Sequence, residues 1–273
     1  MPSSNPAFKG LGGAGNGQQS AAWGQPQYGA PGRYGVPTDP YAAPSPYAAT
    51  GTQYMTMDDV VTKTGLTFQV TVLAAAATWT AVPDSVAIGL LFPAVIVGLI
   101  LGLVISFKQI ANPAATLAYA AVQGVLVGAI SEFYADNFSG NIVTQAVIGT
   151  FGVFFGMLVV YKTGAIRVTP KLTRWIVGAL FGVLALVVVN LLASIFVDGG
   201  LGLRDGGPIA ILFSLVVIGV AAFSLLLDFD MADEAIRRGA PAKFAWYIAF
   251  GLLVTVVWLY LEILRLLSYL QSE

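Results

Sequence analysis

The sequence predicts an all-α membrane protein, a polytopic bundle of seven transmembrane helices. Three observations carry that expectation. The 273 residues are 57% hydrophobic and only 10% charged, with a mean hydropathy of +0.79; a soluble domain carries about 25% charged residues to cover its surface. From residue 60 onward, apolar blocks of about 20 residues follow one another, the length a helix needs to cross a bilayer. Lipid offers the backbone no hydrogen-bond partners, so segments of this length must be helical.

Two regions divide the chain. Residues 1–55 hold eight of the fourteen prolines and ten of the thirty-one glycines, with scattered Gln, Ser and Tyr. Such a segment cannot bury enough apolar area to offset its chain entropy and is expected to be a disordered tail. No charged stretch leads into an apolar run there, so it does not read as a signal peptide. Residues 56–273 form the transmembrane domain, with spans expected near 60–82, 86–106, 114–134, 142–161, 175–196, 208–228 and 243–268. Pro83, Pro113, Pro170, Pro208 and Pro241 fall at block edges, where proline suits helix starts and turns; Pro93 falls inside a block and predicts a kink. Gly98/Gly102, Gly124/Gly128, Gly152/Gly156 and Gly178/Gly182 repeat at four residues, the spacing that lets membrane helices approach closely.

Orientation follows from Lys and Arg. With a cytoplasmic N-terminus, the inner flanks carry Lys63, Lys108, Lys162, Arg167, Lys171, Arg174, Arg237, Arg238 and Lys243, against Arg204 and Arg265 outside. A net charge of −1 provides no basic field for nucleic acid. Cysteine and histidine are absent, which removes disulfides, the usual haem and zinc sites, the Ser-His-Asp triad and the ordinary near-neutral pH switch.

Asp228, in SLLLDFD, and Glu262, in VVWLYLEILRLL, stand in or beside runs otherwise fit for hydrocarbon. An ionised carboxylate there costs several kcal/mol unless paired, wetted or protonated. Two readings are open. Across neighbouring helices the acids could share a proton or hold a cation, since two touching carboxylates cannot both ionise cheaply; deprotonated, they offer the hard oxygens that Ca²⁺ prefers. Alternatively, Glu262 forms an intrahelical ion pair with Arg265, three residues on, and Asp228 with Asp230 is an interfacial pair wetted at the membrane edge. Meeting also requires residues 230 to about 245 to be spent on the connection, with MADEAIRRG as a short helical or interfacial excursion ended by Gly239, because a sharp turn at Gly239-Ala240-Pro241 would leave Glu262 about 15 Å deeper than Asp228. Gln123 and Asn190, mid-block, read as interhelical hydrogen-bonding glue in preference to ion ligands. Glu132, beside Ser131, stands near the outer end of the third block, at a pore mouth or the interface. No GxGD, Gly-flanked Ser, His or Cys supports an intramembrane hydrolase, and Lys243, at a block edge, does not suit a retinal Schiff base; no enzyme is expected.

YKTGAIRVTPK, LLLDFD at the end of the sixth block and the closing WYIAFGLLVTVVWLYLEILRLL resemble the bacterial branch of the Bax-inhibitor/YccA family, the transmembrane BAX-inhibitor-motif proteins. SNPAFKG and TMDDVVTKTG resemble its actinobacterial members. The resemblance covers residues 55–270. It implies a seven-helix protein of the bacterial plasma membrane that leaks Ca²⁺ down its gradient. Its pH-sensing acid pair on the sixth and seventh helices would fall on Asp228 and Glu262, with Asp230, Arg265, Gln123 and Glu132 as possible supports along the cation path. The second acid is Glu where the family has Asp, the connection is longer, and Gln123 stands where an acid is expected. Calcium is then the transported species and no resident cofactor is implied. The other expected role is a non-transporting regulator of a membrane protease or quality-control complex, with the bilayer and a membrane protein as partners and the tail as a handle.

Overall fold

A computed structural model describes residues 53–138, 141–197 and 200–271. The expected disordered tail lies outside the described residues apart from Gln53–Met55. Seven long helices follow in order: α1 Met57–Ala81, α2 Asp84–Lys108, α3 Pro113–Asn137, α4 Ile142–Thr163, α5 Pro170–Ala193, α6 Pro208–Arg237 and α7 Ala245–Gln271. Each is long and apolar enough to cross a membrane. All connections but the α5–α6 one are short, and consecutive helices that span a membrane in succession alternate in direction. The starts of α1, α3, α5 and α7 therefore share one end with the ends of α2, α4 and α6. That end carries nearly all the Lys and Arg and is called the basic end below; the opposite is the far end.

Local sequence explains the helix starts. Thr56 and Asp59 form a reciprocal capping box, each side chain taking the other's backbone N–H at the head of α1. Asn112 and Thr169 accept from backbone N–H groups at the heads of α3 and α5, each followed by proline in the first helical position. Pro93 lies inside α2, which continues as helix on both sides of it.

α7 is the central helix, flanked by α1, α3, α4 and α6, and the most buried span. α2 packs chiefly on α3, and α5 chiefly on α6. The most extensive contact joins α1 to α3, and two glycines make it possible. A Cβ on Gly124 would lie 2.5 Å from the Thr71 carbonyl oxygen, and one on Gly128 would lie 2.5 Å from that of Ala75. The facing side of α1 is built of small hydroxyls, with Thr64, Thr67, Thr71 and Thr78 buried. Thr71 Oγ1 reaches both its own helix at Thr67 O and α3 at Ala120 O, 3.1 and 3.2 Å away. Gly98 and Gly102 likewise admit Gln123 and Tyr119 of α3. Gly152/Gly156 and Gly178/Gly182 have no other atom within 4 Å of an added Cβ. Half of the four-residue glycine repeats thus serve packing within the described bundle.

The sixth block departs most from the sequence expectation. It does not end near residue 228 but continues as unbroken helix through MADEAIR to Arg237. Gly239, at φ +68°, then terminates it in the left-handed conformation glycine tolerates. A single 3₁₀ turn, Ala242–Phe244, leads into α7. Of the residues expected to be spent on the connection, 230–237 continue α6 without a break, and Gly239 ends the helix where the sequence suggested an excursion would end.

Candidate functional site

Asp228 lies nine residues before the end of α6, and Thr255 lies ten residues after the start of α7. At 1.5 Å per residue both sit about 14 Å in from the α6–α7 connection, so antiparallel packing brings them level. The Thr255 hydroxyl donates to Asp228 Oδ2 at 2.6 Å, with the Gly251 carbonyl as a second, longer acceptor at 3.3 Å. Gly251 leaves the room: a Cβ there would stand 3.8 Å from Asp228 Oδ1. Around this pair the two helices present Leu225, Leu226, Phe229, Leu252 and Val256, all buried. Among the described residues Asp228 makes no other hydrogen bond and no ion pair; its carboxyl meets the Thr255 hydroxyl inside an apolar seam.

Among the described residues no hydrogen bond joins Asp228 to Glu262, the first of the two readings left open by the sequence. Glu262 is seven residues beyond Thr255, two helical turns or about 10 Å deeper along nearly the same face. The helical continuation of α6 past Asp228 is long enough to level it with Thr255 and too short to level it with Glu262. Glu262, only 2% exposed, instead takes a charge-assisted hydrogen bond from Arg265, one turn on in α7. The intrahelical alternative is the one formed.

Glu262 belongs to a cluster toward the far end. Arg204, in the α5–α6 connection, lies close enough for its guanidinium to be held below its ordinary value, first by partial desolvation and then by the like charge of Arg265, while Glu262 and Tyr269 act in the other direction. Glu132, at 8% exposure, is buried on α3 beside Ser131, whose hydroxyl shares a 2.7 Å hydrogen bond with the Tyr260 hydroxyl of α7. That contact puts Ser131 level with Tyr260 and so Glu132 within about a turn of the depth of Glu262.

Asp230 is half-buried toward the basic end, with Asp233 one turn beyond. The Tyr161 hydroxyl of α4 approaches both, 3.4 Å from Asp230 Oδ1 and 3.3 Å from Asp233 Oδ2, and Asp233 pairs with Arg237 at 3.2 Å. Gln123 donates to the Tyr119 hydroxyl at 2.8 Å within α3, so its amide is used inside one helix and not as interhelical glue. Asn190 accepts from the Leu201 N–H at 2.9 Å and ties the end of α5 to the following connection.

Sequence reasoning missed Thr255, Tyr260 and the approach of Arg204 to Glu262. A hydroxyl residue in a membrane helix usually bonds its own i−4 carbonyl, so Thr255 carried no signal of its own; only its level opposite Asp228 distinguishes it.

Seven apolar helices, α7 buried among its neighbours, with Asp228 on α6 and Glu262 on α7 at two depths, define a polytopic membrane protein that keeps ionisable groups within its spans. A family model described as "Bax inhibitor 1 like" matches residues 5–272, nearly the whole chain. The chain belongs to this Bax inhibitor family. No curated protein matches it.

Proposed function

We propose that this protein is a proton-controlled leak for calcium, with the Asp228–Thr255 contact as its lock. The observation that carries the reading is the Asp228 carboxyl on α6, level with and hydrogen-bonded to the Thr255 hydroxyl on α7, in a seam of Leu, Phe and Val. A neutral carboxyl suits that seam, because its one polar need is met by Thr255. An ionised carboxylate does not: one hydroxyl cannot replace its hydration, and the charge calls for water or a cation. Deprotonation therefore favours separation of α6 from α7 around Asp228, wetting the seam and offering hard oxygens to calcium. Protonation restores the dry, closed packing.

The far-end cluster has a different part in this reading. Glu262 is already held by Arg265, so it serves as a fixed ion pair beside the outer opening. Glu132 and Ser131 extend polar surface along that end, and Asp230 with Asp233 receives cations at the basic end. Calcium is proposed from the sequence resemblance together with carboxylate chemistry. The plasma membrane is proposed from the sequence resemblance, and the distribution of Lys and Arg supports an N-terminus and basic end in the cytoplasm.

Calcium-dye flux into proteoliposomes tests the reading. Wild-type protein should pass calcium faster as the pH is raised, and Asp228→Asn, neutral at every pH, should cut the flux at least tenfold and abolish its pH dependence. Equal, pH-independent flux in both proteins contradicts the lock.

A further inference from the structure

The chain ahead of α1 is bound to the α6–α7 connection. Gln53–Met55 runs antiparallel to Ala240–Ala242, bridging Tyr54 to Pro241. The Met55 N–H donates to the Ala240 carbonyl, and the Ala242 N–H donates to the Gln53 carbonyl, both at 2.7 Å. In this register Tyr54 and Pro241 form a pair without direct hydrogen bonds, so the N–H that proline lacks is not needed. Proline can therefore occupy the centre of the bridge.

Side chains reinforce the pairing. Met55, 2% exposed, belongs to the same buried cluster as Phe229, Ala232 and Ala235 of α6 and Ala245 and Ile248 of α7. The Tyr54 ring covers Gly239, the residue that ends α6, with ring carbons 3.6 and 3.7 Å from the position a Cβ would take. Lys63, one turn further along α1 than Asp59, is half-buried and bridges two anchors. Its Nζ donates to Asp59 Oδ1 at 3.0 Å and to the Ala242 carbonyl at 2.7 Å. The capping box at Thr56 fixes the chain immediately after the strap.

We propose that residues 53–55, with Lys63, form an autoinhibitory strap on the α6–α7 connection. This inference rests on the leak reading above. Parting α6 from α7 around Asp228 requires their shared connection to move, and the strap ties that connection to α1 by two backbone hydrogen bonds, one lysine and a buried methionine. Release of the strap permits opening; its closure holds the lock shut. Because the strap continues directly into residues 1–52, a partner that captured that segment would act on the lock through it.

The absence of native cysteine makes the test direct. A bridge pair without hydrogen bonds has its Cα atoms about 4.5 Å apart, within disulfide range, so Tyr54→Cys with Pro241→Cys can be cross-linked. In proteoliposomes the oxidised double variant should pass calcium at least tenfold more slowly than the same sample after reduction. Met55→Pro, which removes the strap's donor, should exceed wild-type flux severalfold. Equal flux before and after reduction overturns the proposal. A second readout stands apart from the leak: spin labels at Asp58→Cys and Lys243→Cys should give a narrow distance distribution that broadens with Met55→Pro. If no variant passes calcium, the leak reading fails, and an unbroadened distribution then overturns the strap as well.

Discussion

Asp228 is held by one hydroxyl, and Glu262 by one guanidinium, and that difference assigns the two acids their separate behaviour. Removing the carboxyl of Glu262 leaves Arg265, largely buried, without its counter-ion, and breaking a buried pair costs about 3 kcal/mol. Glu262→Gln should therefore lower the thermal unfolding midpoint measurably while leaving the pH profile of calcium flux in place, as read by differential scanning fluorimetry and dye flux on the same preparation. Thr255→Val removes the donor opposite Asp228 while preserving shape. It should shift the flux–pH profile and lower the unfolding midpoint modestly, since the buried carboxyl loses its partner, whereas an unshifted profile would show that Thr255 does not couple to the lock. The sequence marked Asp228 and Glu262 through a simple cost, charge in hydrocarbon, and that signal located both. What it could not supply was the partner of each. Which groups face each other depends on where α6 ends, and the stretch MADEAIRRG after Asp230 reads equally well as connection or as helix.

At the scale of elements, the extra turns of α6 and the glycines of α3 decide the geometry. Extending α6 to Arg237 levels Asp228 with Thr255; ending it at 228 would have put the acid beside the first turn of α7. The α1–α3 contact rests on backbone approach, so an added side chain meets backbone oxygen that cannot yield. Gly124→Leu and Gly128→Val should abolish recovery of folded, monodisperse protein by size-exclusion chromatography. Gly152→Ala and Gly178→Ala, where nothing lies within 4 Å of the new carbon, should leave it unchanged. Block lengths, prolines at block edges and the span count were legible because bilayer thickness and the missing proline N–H act locally. The sorting of the glycine pairs into packed and outward-facing sets was not, since all four repeats are identical in spacing and only tertiary neighbours separate them.

For the whole molecule, the placement of charge at one end and the burial of α7 among four neighbours describe a bundle whose last helix pair is its core. Reporter fusions after residues 165 and 203 should place the first in the cytoplasm and the second outside; the reverse would invert the proposed direction of the leak. Cross-linking of membranes containing full-length protein or a variant lacking residues 1–52 separates the leak from a regulatory role: partners lost with the tail, and no flux in either form, would favour the regulator. The central claim, that Asp228 holds a proton when the molecule is closed, is tested most directly by infrared difference spectroscopy across a pH titration in bilayers. A protonated-carboxyl band should disappear as pH rises, with the same midpoint as the increase in calcium flux, and should be missing from Asp228→Asn. A band unchanged by that substitution, or one whose midpoint is unrelated to flux, would contradict the claim.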